Sequence, residues 1–140
     1  MNKGNVFISG ASRGIGRDIA INFANNGYKV VGTSRKNFDF DEDLNNLFPI
    51  KLDITNRDDI KDCFTELKSK DLLPSILINN AGITYDQLFL RMKDEEWDSV
   101  IETNLTGTFN LSKIFIKNMI KNKSGRIINI SSVSGLMGNP

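Results

Sequence analysis

Three glycines and an arginine fall within the run Ser9-Gly10-Ala11-Ser12-Arg13-Gly14-Ile15-Gly16. Such a run can hold a pyrophosphate if it joins a strand to a helix. Gly10 then lets the chain leave the strand in a tight turn, Gly14 leaves room for main-chain N–H groups to approach phosphate oxygens, and Gly16 lets the helix pack close to the strand. The helix N-terminus adds partial positive charge. The flanking residues supply both elements. Asn5-Val6-Phe7-Ile8 is short, apolar and β-branched at two positions, as in a strand buried on both faces. Ile15, Ile19, Phe23 and Ala24 recur at helical spacing, and Gly27 stands where a helix C′ residue belongs. The spacing is Gly-x-x-x-Gly-x-Gly, distinct from the commonest dinucleotide fingerprint.

Four further groups of residues have side chains suited to chemistry. Ser34 and Arg35 close the second strand, where a dinucleotide fold places an acidic residue about 20 positions after the glycines to bond the ribose 2′-hydroxyl. A guanidinium there suits a 2′-phosphate instead, and Arg13 could close on the same group, so the pattern favours NADPH over NADH. A solvated basic loop, paired with Asp39, Asp41, Glu42 and Asp43, is the alternative. Asn79-Asn80-Ala81-Gly82 follows the fourth strand directly; it fits a backbone lying against a ligand, or equally a strand-end turn. Asn104 shares a helical stripe with Trp97 and Ile101, where an amide needs partners; it bends the helix, serves a site, or is satisfied structurally. Ser131 and Ser132 stand at the carboxyl end of the fifth strand, the edge where open α/β sheets bind ligands. The sequence has no His, so any proton chemistry falls to Tyr, Lys, carboxylates or hydroxyls.

The elements that must position these groups alternate between strand and helix. Strands are expected at 5–8, 29–33, 49–52, 75–78 and 126–130. A short acidic helix is expected over Phe38 to Phe48. A second helix runs from a Thr55 cap through Lys70, with Ile60, Phe64 and Leu67 on one face and Cys63 beside it as a small buried thiol. Asp94 is a good N-cap for a long helix to about Lys123 that buries Trp97, Val100 and Ile101. Its second half is apolar on more than one face, as if it met another subunit.

The 140 residues fit one domain with a core of its own. Eighteen basic against 17 acidic side chains leave a net charge of +1, which gives no bulk field for nucleic acid or an anionic membrane. No run approaches membrane-spanning length, the start has no signal-peptide core, and the lone Cys63 forbids an internal disulfide, so a reducing cytoplasm is expected.

Taken together, the glycine turn, Asn79-Asn80-Ala81-Gly82, Arg91 to Trp97, Glu102-Thr103-Asn104-Leu105 and Gly125 to Ser132 resemble the short-chain dehydrogenase/reductase family over the whole chain. The segment from Gly82 through Trp97 is most similar to the branch that reduces 3-oxoacyl groups on acyl-carrier protein in fatty-acid synthesis. The resemblance implies an α/β, Rossmann-like doubly wound parallel sheet of order 3-2-1-4-5. It implies that Gly10, Ala11, Ser12 and Arg13 hold the NADPH phosphates and Arg35 the 2′-phosphate, with Gly14, Ile15 and Gly16 also in the cofactor site. Asp53 and Ile54 would meet the adenine and Asn80 the ribose, with Ala81 and Gly82 also in the cofactor site. Ser132 would hydrogen-bond the substrate carbonyl, and Asn104 would hold a water in a proton relay. An acyl-carrier-protein-bound substrate and a homotetramer in the complete protein follow as expectations, with no metal.

The family completes its site with Tyr-x-x-x-Lys downstream of the serine. Here Tyr28 and Tyr85 are the only tyrosines, and Gly32 and Phe89 stand four residues after them. Residues 1–140 are therefore expected to form a single NADP-binding Rossmann domain, incomplete before its last two strands and inactive alone. Another short-chain ketone or alcohol oxidoreductase, or a non-catalytic dinucleotide-binding module, fits the same half. Lys121, Lys123 and Arg126 could meet an acidic carrier, or simply solvate a helix end.

Overall fold

Side-chain alternation along the first strand sets the architecture. In a computed structural model that describes residues 3–138, β1 (Asn5–Ser9) places Val6, Phe7 and Ile8 out of solvent entirely. Successive side chains point to opposite faces, so both faces need cover. Val6 and Ile8 join Ala20, Ala24, Val30, Phe40 and Ile78 in one apolar cluster. Phe7 joins Val31, Leu67, Leu77, Leu111 and Phe115 in another. The first cluster lies beneath α1 (Gly14–Asn25), the second beneath α2 (Arg57–Ser69) and α4 (Thr108–Lys121). Between them run β2 (Lys29–Ser34), β3 (Leu47–Lys51), β4 (Ile76–Asn79) and β5 (Arg126–Asn129), all parallel, in the order β3-β2-β1-β4-β5. This is the Rossmann-like order expected. A final turn, α5, covers Ser134–Met137. Pro140, where the sequence reading stops, lies outside the described residues.

Five local expectations need correction. The acidic helix over 38–48 does not form. Helical spacing would set Phe38 and Phe40 on opposite sides, whereas the irregular segment turns both rings inward, edge to face at 5.2 Å, and buries Phe40. Its end is tied by Asn46, whose Nδ2 donates to the carbonyls of Ala24 and Tyr28. Pro49 lies inside β3, which spans Leu47–Lys51; it is tolerated because β3 pairs only with β2. Asn56, not Thr55, caps α2, accepting from the N–H groups of Asp58 and Asp59, because the Thr55 hydroxyl and N–H are both taken by Asp53 Oδ1. Asp94 is the first residue of α3 (Asp94–Ile101) and not its cap; Glu96 reaches back to the Lys93 N–H. The long helix is interrupted by a π-helical segment at Glu102–Gly107. Since α3 packs against no strand and, of the helical elements, only against that segment, Trp97 remains 53% exposed, and Val100 and Ile101 are only half-buried.

Cys63 is buried as expected, in the cluster under α2. Burial, with Glu66 nearby, pushes its thiol up from 9.0 to about 12. The folded chain thus favours the protonated thiol. Its contribution to stability is complete below 9.0 and is lost as pH climbs toward 12. Urea midpoints should fall steadily through that window in the native chain but not in Cys63→Ala, after correction for the substitution's own baseline. β5 forms one edge of the sheet, with Ile127, Ile128 and Ile130 exposed. Unpaired edge N–H and C=O groups beside apolar side chains recruit further strands. The 140-residue chain should elute from a sizing column larger than a monomer, and Ile128→Lys should shift it toward monomer.

Candidate nucleotide-binding cleft

The β1–α1 turn and the end of β4 are fastened together before any ligand is considered. Ser9 Oγ accepts from the N–H groups of Asn80 and Ala81, each at 3.1 Å. Asn80 Nδ2 donates to the carbonyls of Ser9 at 3.2 Å and Gly10 at 2.9 Å. Gly16 fits beneath this joint with no room to spare: a Cβ there would lie 2.2 Å from Gly10 O and 2.4 Å from Asn80 Nδ2. Gly14, in contrast, faces open space with φ +55, a left-handed conformation that favours glycine. No side chain caps α1, and its first turn carries no acid. Its leading N–H groups therefore keep their capacity for an outside acceptor.

Along this joint, at the carboxyl edge of the sheet, runs a cleft of about 1150 Å³. It collects most of the residues that the sequence singles out. Gly10, Ser12, Arg13, Gly14, Ile15 and Gly16 line one side, Arg35 another, and Asp53, Ile54, Asn80, Ala81 and Gly82 the floor and far wall. Ala11 is not in the wall. It is fully buried, and its N–H donates to Thr33 O, locking the turn to the end of β2. Among the described residues no carboxylate pairs with Arg13 or Arg35; the acidic segment engages Arg17 instead.

Asn104 and Ser132 are not wall residues. Asn104 is exposed, and its amide exchanges two 2.9 Å hydrogen bonds with the main chain of Ile83. Thr108 Oγ1 donates to the Asn104 carbonyl, and Gly107 packs on Ile54, so the π segment ties α4 to two stretches of cleft wall. Single π-type turns in longer helices occur often at functional sites. Ser132 stands past the end of β5, exposed, with its Oγ accepting from the Ser134 N–H.

Lys36, Asn37, Phe38, Leu52, Ile83 and Thr103 also line the cleft and were not singled out from sequence. For Lys36 the signal was available, since it adjoins Arg35 at a strand end. Thr103 and Ile83 reach the wall only through the π segment and its clasp on Ile83, which no periodicity reveals. Among the described residues no cluster of His, Cys, Asp or Glu could hold a metal ion, and no helix is long and apolar enough to cross a membrane.

A family model described as short chain dehydrogenase matches residues 4–140. The chain is 41% identical to 3-oxoacyl-[acyl-carrier-protein] reductase FabG of Staphylococcus epidermidis, an alignment covering 100% of this chain and 60% of the relative. To the protein of the same name from Vibrio cholerae it is 44% identical, with 94% and 56% covered. Among solved structures it is similar to a short chain dehydrogenase of Leptospira borgpetersenii with bound NAD+, with a TM-score of 0.93, 31% identity, and 100% and 56% covered. It is also similar to 4-hydroxyisoleucine dehydrogenase complexed with NADH, with a TM-score of 0.85, 36% identity, and 96% and 58% covered. The chain thus spans between 56% and 60% of the length of these proteins.

The Gly16 joint yields a direct test. Gly16→Ala must displace either the Gly10 carbonyl or Asn80, an overpacking cost of about 1–3 kcal/mol. Urea denaturation should report that loss, whereas Gly14→Ala should cost less, because its Cβ meets only open space and the strain is that of φ alone.

Proposed function

The chain belongs to the short-chain dehydrogenase family, and on that premise we propose that it is the cofactor-binding half of an NADPH-dependent reductase of 3-oxoacyl groups carried on acyl-carrier protein. The observation that carries this reading is the cleft itself, in which an uncapped helix start and two cations face the same space. The residues present fit a dinucleotide phosphate. Gly14 leaves the helix start open, and Arg13 and Arg35 have no acidic partner among the described residues. Gly10 to Gly16 would hold the pyrophosphate, Arg35 with Lys36 the 2′-phosphate, Asp53 and Ile54 the adenine, and Asn80 to Gly82 the ribose nearer the reacting end.

When bound, reduced nicotinamide supplies a hydride. The chain's own groups orient what receives it. Ser132 O–H would donate to the substrate carbonyl oxygen. Asn104 fixes the wall at Ile83, and its part in a water relay would run from the π segment. A carbonyl that gains a hydride must also gain a proton, and neither a serine hydroxyl nor an amide is a suitable acid near neutrality. Completion of the site is therefore assigned to a Tyr-x-x-x-Lys not contained in these 140 residues. A tetrameric assembly, the cytoplasm as its location, and contact of Lys121, Lys123 and Arg126 with the acidic carrier belong to the same proposal.

A second reading draws on the two structural neighbours, whose descriptions carry NAD+ and NADH. It makes the protein an NADH-dependent oxidoreductase of a small hydroxy compound. Titration decides between them. Arg35→Ala should weaken NADPH binding by about 1.5–3 kcal/mol, the range for a hydrogen bond to a charged group, with NADH unchanged. The 140-residue chain should bind NADPH yet show no steady consumption of it with a 3-oxoacyl thioester. Preference for NADH would favour the second reading, and sustained turnover would overturn the assignment of the proton donor.

A further inference from the structure

Arg17, on α1 directly after Gly16, has no part in the reading above, yet it is the most heavily engaged cation of the cleft region. Its Nη1 donates to the Asp39 carbonyl at 3.1 Å and its Nη2 to the Phe40 carbonyl. The Asp41 carboxylate lies 3.9 Å from Nη2, and the guanidinium stands 5.9 Å from the centre of the Phe40 ring. Phe40 is 1% exposed and is driven against β2 at Gly32, where a Cβ would come within 2.5 Å of the ring's Cζ. The Phe40 N–H is turned in by Asp39 Oδ1 at 2.7 Å. On its other side the ring meets Phe38, which lines the cleft beside Ser34, Arg35, Lys36 and Asn37.

The segment that carries Arg35 and Lys36 has no helix to stiffen it. One end is anchored in β2. The other is held by Arg17 and the buried Phe40 ring. A planar guanidinium that bonds two consecutive carbonyls fixes direction as well as position, which a single ammonium cannot do. We propose that Arg17 is a positioning residue for selectivity toward the 2′-phosphorylated coenzyme: by clamping residues 39–41 it holds Arg35 and Lys36 at the adenosine end of the cleft, without touching the coenzyme itself. This rests on the assignment of Arg35 to the 2′-phosphate. It accounts for two acids of the segment next to a phosphate site: Asp41 faces Arg17 and Asp39 holds the Phe40 N–H, while none of the described carboxylates pairs with Arg35.

The test is a titration of the 140-residue chain with NADPH and, separately, NADH, followed by coenzyme fluorescence and by heat release, with Arg17→Ala, Arg17→Lys, Phe40→Leu and Arg35→Ala alongside the parent. Loss of preorganisation in Arg17→Ala should weaken NADPH binding about tenfold and leave NADH within about twofold. Arg17→Lys should recover only part of the loss. Phe40→Leu, which keeps an apolar plug but removes the ring that lies 5.9 Å from the guanidinium, should fall in the same direction by less, and serves if Arg17→Ala fails to fold. Equal weakening of both coenzymes, or an unchanged preference in Arg17→Ala and Phe40→Leu, would overturn the role of Arg17 alone. A parent that shows no preference, or an Arg35→Ala that keeps it, would overturn the 2′-phosphate assignment and this inference with it.

Discussion

The cleft depends on how closely two strand ends are held. Ser9 Oγ and the Asn80 amide make four hydrogen bonds across the gap between β1 and β4, and Gly16 lies directly under them. Each of these groups is used for geometry. The Asn80 Nδ2 bonds the carbonyls of Ser9 and Gly10, so those oxygens are turned inward, away from a phosphate. The first amides of α1, which no side chain caps, remain available to an outside acceptor. A site suited to phosphates presents donors and hides acceptors, and the joint would serve the coenzyme proposed above with neutral groups.

Much of that was legible in the sequence because it rests on local rules. Val6 to Ile8 read as a strand covered on both faces, and all three are fully buried. The glycines told where the chain turns, and Asn80-Ala81-Gly82 told where a second strand ends against the same space. What was not legible depends on tertiary partners. Phe38 and Phe40 sit in an acidic run whose composition resembles a solvated helix; only the presence of Arg17 above and Gly32 below makes an irregular, inward-folded segment better. The break in the long helix is of the same kind. Asn104 fits the apolar stripe by spacing, but its amide finds both partners in Ile83, a residue far away in sequence. Periodicity reports which face a residue occupies, not what comes to meet it.

Two modes of fastening therefore surround the cleft. The glycine joint is short-ranged and neutral, made of main chain and small side chains. The wall at Ile83 is held by the Asn104 amide of the π segment, and residues 39 and 40, just beyond the cleft's 34–38 edge, are held by Arg17 of α1. Stability is not uniform in a fold of this kind; walls held by single side chains open at lower cost than the joint at the strand ends.

Trp97 is the sole tryptophan of the sequence, and it stands on α3 half in water, over no strand. Its indole already senses a wet environment in the folded chain. Emission from it is consequently a poor witness to melting of the sheet, but a sensitive one to anything that settles on the outer side of α3, where a shift toward shorter wavelength would register a covering surface while the core stays as it was.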